Sequence, residues 1–423
     1  MSLTSATRRA SLFRQHDFRQ LFLADAISQV GTQLSVLALP VLAVKVLGAS
    51  AFEMGLLATC EFLAFLVIGL PAGAWVDRWR KQRVLVAADV TRALALGSLP
   101  LAWWAGVLTL PQMFVVALVV GTATLFFDVT YQSYLPDLVE PDDIGPGNAR
   151  LQAVQSVAQI GGPGLGGLLI RAVGAPVTVA VDAVSFLGSA LFVRRIRHVD
   201  TPPPRADRRP LVVEVREGLA FVFSHPLLWR ITACTSTSNL FSSMSGALLV
   251  LFCLRELDLD EGHIGLAMGL GAAGGLLGAL ATPTINRVVG EGRTIPLSTL
   301  FWLPAGALMP LAGTVIPPMV ALTLSSLVLT FVVVVYNVTQ VSFRQRLCPR
   351  PLLGRMNASI RFLVWGVMPV GAFVGGVLGE AVGVRAVFWI SLAGSALSAA
   401  IVVFSPLMGM RDLPRELDRL SGT

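Results

Sequence analysis

The sequence predicts an all-α membrane protein: twelve transmembrane helices in two pseudo-symmetric six-helix bundles. Composition, the spacing of apolar runs and an internal repeat all point there. Of 423 residues, 54% are hydrophobic and only 13% charged, and mean hydropathy is +0.73. Soluble domains carry about 25% charged residues, so the deficit runs through the whole chain rather than marking one anchor. The net charge of +7 does not indicate a nucleic-acid binder, because the basic residues fall between apolar runs instead of on one face.

A spanning helix needs about 20 mostly apolar residues. Twelve runs meet this, near 18–46, 54–76, 84–108, 112–134, 149–170, 176–193, 227–252, 264–286, 296–316, 319–342, 357–381 and 386–406. The start, MSLTSATRRASLFRQHDFRQ, lacks the short apolar core and small-residue site of a cleaved signal peptide. One set of connections holds Arg8, Arg9 and Arg14, the cluster at 77–83, Arg194 to Arg216, Arg287, Arg293, Arg344 to Arg355 and Arg411 to Arg419. The alternate set is poor in Lys and Arg, which places the basic ends and both termini in the cytoplasm of a multi-pass protein of the cell (inner or plasma) membrane. The expected organisation is an N-terminal bundle at 1–193, a cytoplasmic linker at 194–226, a C-terminal bundle at 227–410 and a tail at 411–423. Within the linker, Val212 to Phe223 reads as a short amphipathic helix at the membrane surface.

The halves repeat. NARLQAVQSVAQIGGPGLGGLLIRAVG (148–174) aligns with NASIRFLVWGVMPVGAFVGGVLGEAVG (357–383) at a shift of 209. Near that shift SQVGTQLS (28–35) meets SNLFSSMS (238–245), and Asp128 falls opposite Asn337. Duplicated bundles of this kind mark transporters whose substrate site lies at the repeat interface.

Between the second and third runs stands Gly73-Ala-Trp-Val-Asp77-Arg78-Trp-Arg80-Lys81-Gln-Arg83. Asp77, at the end of a span, can face a helix N-terminus and pair with the arginines, making a latch that opens and closes as the bundles rock; the plainer alternative is a positive-inside anchor. Twelve spans in two repeats with this loop resemble the major facilitator superfamily, and the resemblance favours the latch. The family's usual Gly after Asp-Arg is replaced by Arg80. That departure, with FFDVTYQSYLPDLV (126–139), REGLAFVFSHPLL (216–228) and GRMNASIRFLVWG (354–366), is similar to the branch that holds macrolide efflux proteins and the enterobactin exporter.

Gly162, Pro163, Gly166 and Gly167 on the fifth run resemble the family's antiporter motif, with Ala158 where a Gly is usual, which implies export; helix packing through small residues is the alternative. Polar residues inside spans are costly and usually face a cavity. Asp25, Gln29, Thr32 and Gln33 share one helix face, and Thr235, Asn239, Ser242 and Ser243 repeat that stripe. The fourth run offers Asp128, Tyr131 and Gln132; the tenth offers Tyr336, Asn337 and Gln340. The resemblance implies that these four spans line a central cavity, while interhelical hydrogen bonding is the alternative. Proton coupling needs a carboxyl in the membrane, for which Asp25, Glu61 and Asp128 are the candidates, with structural pairing to Arg78 or Arg83 an alternative for Asp128. Asp89 and Arg92 are expected to pair with each other or with the loop cluster.

The resulting expectation is a secondary active exporter of an amphipathic small molecule, working by alternating access with proton antiport. A lipid-handling transporter and an importer of the same fold are the rival readings. No GxxxxGK[ST] loop points to direct ATP drive, and no GxSxG, Ser-His-Asp or metal-ligand pattern points to an enzyme. The four cysteines and four histidines have no ligand spacing. The expected partners are a small molecule, protons and the bilayer, with no cofactor, metal or nucleic acid, and the expected state is a monomer.

Overall fold

A computed structural model describes residues 12–76, 78–198, 211–348 and 353–412. These residues form sixteen α-helices and no β-strand. Ten helical segments are long and apolar enough to cross a membrane. The other two expected spans are helical as well. Ala51–Val67 (α2) and Gly69–Val76 (α3) are the second span interrupted at Ile68, and Ile144–Val173 (α6) is the fifth, long enough at 30 residues but diluted by Gly, Gln and Asn.

The remaining helices of the first half are His16–Val41 (α1, prolonged by a π-helical turn to Val46), Lys81–Trp104 (α4), Leu110–Leu138 (α5) and Ala175–Arg194 (α7). After the linker come Leu211–Ser224 (α8), Pro226–Arg255 (α9), Glu261–Val289 (α10), Glu291–Leu300 (α11), Trp302–Leu311 (α12), Pro318–Leu347 (α13), Leu353–Trp365 (α14), Met368–Val382 (α15) and Val384–Val403 (α16). The expected linker helix matches α8 within a residue at each end.

Three spans are broken, and proline accounts for each break. Pro71, Pro304 and Pro369 each stand three residues after an interruption, at Ile68, Phe301 and Gly366. A proline lacks the N–H that would bond back to residue i−4, and its ring clashes with that carbonyl. The helix therefore stops, and the proline sits in the first turn of the next segment, where no N–H is needed.

The chain divides into two compact units. Unit 1 comprises 1–48 and 71–208; unit 2 comprises 49–70 and 209–423. The boundary falls inside α3, just after the Ile68 break, so α2 packs with unit 2. In unit 1, α7 lies against both α1 and α4, α6 against α1, and α5 against α4. Its core gathers Phe18, Leu21, Leu85, Phe127 and Leu151. In unit 2, α10 packs on α13, α2 on α15, and both α15 and α16 on α9. α8 packs on α14, where Arg355 pairs with Glu217 and Gly218 lies so near the Arg355 carbonyl that a Cβ would sit 2.5 Å from its oxygen. Leu94, Leu101, Val157 and Leu280 are more than 60% exposed, as a lipid-facing surface requires.

The repeat survives in three dimensions. α6 ends at Gly174 (φ 86°) and α15 ends at Gly383 (φ 90°), 209 residues later, each passing directly into the next helix. With ψ near 150° this backbone is open essentially to glycine alone.

Candidate functional site

In unit 1, α1 carries Asp25, Gln29, Thr32 and Gln33. Asp25 is buried and accepts a hydrogen bond from Gln29 Nε2 at 3.3 Å; Gln29, Thr32 and Gln33 are half-buried below it. α5 brings Tyr131 and Asp128 within electrostatic range of Asp25. Two of the three carboxylates singled out in the sequence thus lie near enough to feel each other's charge. The third, Glu61, is exposed on α2 in unit 2 and has no hydrogen-bond or ion-pair partner among the described residues.

A second polar centre lies deeper in unit 1. Asp89 and Arg92, which the sequence suggested as a pair, do pair on α4, both almost fully buried. The Arg92 guanidinium sits between the rings of Phe127 and Phe186, 4.3 and 4.2 Å from their centroids, where ring quadrupoles replace part of its lost hydration. Next to it on α7 is Asp182, 1% exposed, which accepts hydrogen bonds from Ser35 Oγ and, at 3.0 Å, Ser185 Oγ. Sequence reasoning missed Asp182. The available signal was a lone carboxylate in the middle of the apolar run APVTVAVDAVSFLGSALFVR.

The loop motif is partly visible. Asp77 lies outside the described residues, so its pairing stays a sequence expectation. Gly73 is half-buried in α3 with open space around it. Lys81 turns away from its neighbours to bind Asp137 Oδ2 (2.6 Å) and the Ser133 carbonyl (2.7 Å), tying the start of α4 to the end of α5. Arg78, Arg80 and Arg83 are exposed and line an open cavity of about 810 Å³, walled on its apolar side by Val84, Leu118 and Phe126.

On the fifth span Gly162 stands at a close approach to α1, while Gly166 makes ordinary contact with it. A Cβ on Gly162 would lie 2.2 Å from Gln33 Cβ, and one on Gly166 would lie 3.5 Å from Leu34 Cα. Pro163 and Gly167 are buried beside them. In unit 2, Gly371 and Gly375, each 209 residues further on, meet Leu240, Ser243 and Met244 of α9 in the same way. Both halves therefore use this pattern to seat one helix on another.

The polar residues of unit 2 are largely spent on one another. Tyr336, buried, shares a hydrogen bond with Thr235 Oγ1 (2.8 Å), donates to the Ile231 carbonyl (3.3 Å) and packs its ring against Trp302. Asn239 donates to the Val364 carbonyl (2.9 Å), one of the acceptors freed where α14 stops. Gln340 is buried and donates to Asn337 Oδ1 (3.3 Å), while Asn337 and Ser242 are exposed.

The multidrug efflux pump Tap of Mycolicibacterium fortuitum is 26% identical over 93% of this chain and 96% of its own length. Macrolide efflux protein A of Streptococcus pyogenes is 22% identical over 86% of this chain and 89% of its own. Among solved structures, the nucleoside transporter NupG superposes with a TM-score of 0.76 at 16% identity, covering 92% of this chain and all of that one. A bacterial homologue of the iron transporter ferroportin gives 0.73 at 18% identity, covering 93% and 98%. The sequence pattern of the Major Facilitator Superfamily matches residues 21–371. With the helical spans, the repeat and that match, the chain belongs to the Major Facilitator Superfamily.

Proposed function

We propose that this transporter is a secondary active exporter that moves amphipathic drug-like compounds out of the cell in exchange for protons. The observation that carries the reading is the alignment with two efflux proteins along at least 86% of the chain. The unit 1 centre gives it a mechanism. A carboxyl that is alternately exposed to the two sides can exchange a proton for an organic solute only if one site senses the other. That Asp25 is buried and accepts from Gln29 on the same polar helix face supports assigning it this role: protonation would remove its charge and free Gln29 to bond a solute. Gln29, Thr32, Gln33, Tyr131, Asn239, Ser242, Tyr336, Asn337 and Gln340 are proposed to line the path, those with free polar groups contacting solute and Tyr336, Asn239 and Gln340 shaping its wall. Asp77, Arg78, Arg80, Lys81 and Arg83 are proposed as the cytoplasmic latch.

The test is accumulation of a lipophilic fluorescent cation in cells stripped of their own pumps. Expression lowers accumulation, and an uncoupler restores it. Accumulation unchanged by expression, or lowered equally with the gradient collapsed, overturns the reading.

A further inference from the structure

The polar centre around Asp182 is not used by the scheme above, and its charges do not balance. Two carboxylates, Asp89 and Asp182, face one guanidinium, Arg92, and all three are at least 96% buried. Among the described residues, the packed elements add no further charge there: α1 contributes the Ser35 hydroxyl, α5 the Phe127 ring, and α7 Ser185, Ser189 and the Phe186 ring. The arginines of α6 stand away from it, Arg150 over Phe13 and Phe18 and Arg171 in the last turn. A fully ionised cluster would leave one uncompensated negative charge in a dry helical interior, and groups so placed neutralise instead.

We propose that this cluster is a proton-binding site that holds one exchangeable proton on Asp182. Arg92 bonds Asp89 directly, which leaves Asp182 as the carboxyl without a formal counter-charge. Its two oxygens are met by seryl hydroxyls, and a hydroxyl can turn from donor to acceptor when the carboxylate becomes a carboxyl. Ser189 on α7 interacts with Asp89, and Arg92 Nε is buried with no hydrogen-bond partner among the described residues, so the centre keeps a donor with which to rearrange. Gaining the proton takes the cluster from a net charge of −1 to zero; losing it to water restores −1.

The site is joined mechanically to the transport face. Asp182 and Ser185 press against α1 at Gly31, where a Cβ would fall 2.4 Å from Asp182 Oδ1 and 2.0 Å from Ser185 Oγ. The neighbouring turns of that helix carry Gln29, Thr32 and Gln33. A change in the Ser35–Asp182 contact therefore shifts the helix that presents the polar face. This role in transport rests on the exchanger reading; the existence of the site does not.

Infrared spectroscopy of the purified full-length protein at neutral pH, in the protonated-carboxyl C=O region, tests the site without any transport assay. Wild type shows a component that disappears in Asp182→Asn. Asp89→Asn loses the same component, because Arg92 is then free to pair with an ionised Asp182. Arg92→Gln gains one further protonated carboxyl. Ser35→Ala keeps the charge and moves the component without removing it, which preserves the test if Asp182→Asn does not fold. The proposal is overturned if Asp89→Asn leaves the component in place, if Ser35→Ala leaves it unmoved, or if sodium ions at constant pH abolish it.

Discussion

The two units share a packing plan and differ in what they bury. Gly162 and Gly166 seat α6 on α1, and Gly371 and Gly375 seat α15 on α9, at the same spacing in the repeat. On that common frame, unit 1 places four carboxylates inside its spans: Asp25, Asp89, Asp128 and Asp182. The spanning helices of unit 2 keep their described carboxylates at helix ends, apart from Glu61 on α2. Asp25 and Asp89 are paired or bonded in unit 1, whereas the corresponding interior of unit 2 is closed by neutral contacts such as Thr235–Tyr336 and Cys234–Ser398. The difference teaches that duplication kept the way these helices touch, while the buried charge diverged.

The largest effect should come from breaking the buried charge centre. Arg92→Met removes the counter-charge of buried Asp89, and breaking such a pair costs about 3–5 kcal/mol. Thermal unfolding in detergent should show a large drop, with no comparable loss from a neutral change at Cys234. The shared frame comes next. Gly162→Leu and Gly371→Leu each force side-chain atoms into a closed contact, with overpacking costs of about 1–3 kcal/mol. Gly371→Leu should be the worse, since its obstacle is the Leu240 carbonyl rather than the Gln33 side chain. If only one of the two destabilises, the packing equivalence fails.

Tyr336→Phe leaves the Thr235 hydroxyl without its tyrosine partner and removes the bond to Ile231, a loss of about 0.5–1.5 kcal/mol. The smallest effect is a pH slope at the entrance of unit 2. His225 caps α9, its Nδ1 accepting from the N–H groups of Leu227 and Leu228 at 3.2 and 3.4 Å. Burial holds its pKa below the ordinary value. The neutral ring is therefore the folded form, and its contribution is complete above about pH 6.5, the unfolded value. As pH falls below that, the unfolded chain takes up a proton that the folded one refuses, and stability declines. His225→Asn retains a capping acceptor and should flatten the acid side of the melting-temperature profile.

Much of the fold was legible because bilayer thickness and helical rise set the length of a span, and because α8 showed its amphipathic period. The repeat was legible from a few glycines and an Asn. The breaks at Ile68, Phe301 and Gly366 were also written in the sequence, as prolines three residues on, but a run read only for hydropathy passes over them. The site was legible along single helices, where Asp25 and Gln29 are one turn apart. It was not legible between helices. Asp182 meets Ser35 and lies near Arg92 only because of how α7 is rotated against α4 and α1, and no periodicity reports that angle. Asn239 and Tyr336 show the same limit: their positions along single helices do not report the partners on α14 and α9 that take up their polar groups.

The central claim is that solute leaves as protons enter. Its most direct measurement is the protein in sealed liposomes, with solute movement and internal pH followed together after a pH gradient is imposed. Solute should run against its gradient with an opposite proton flux, and Asp25→Asn should remove both, whereas Cys234→Ala should leave both. Solute movement that proceeds at full rate without any proton flux would contradict the account.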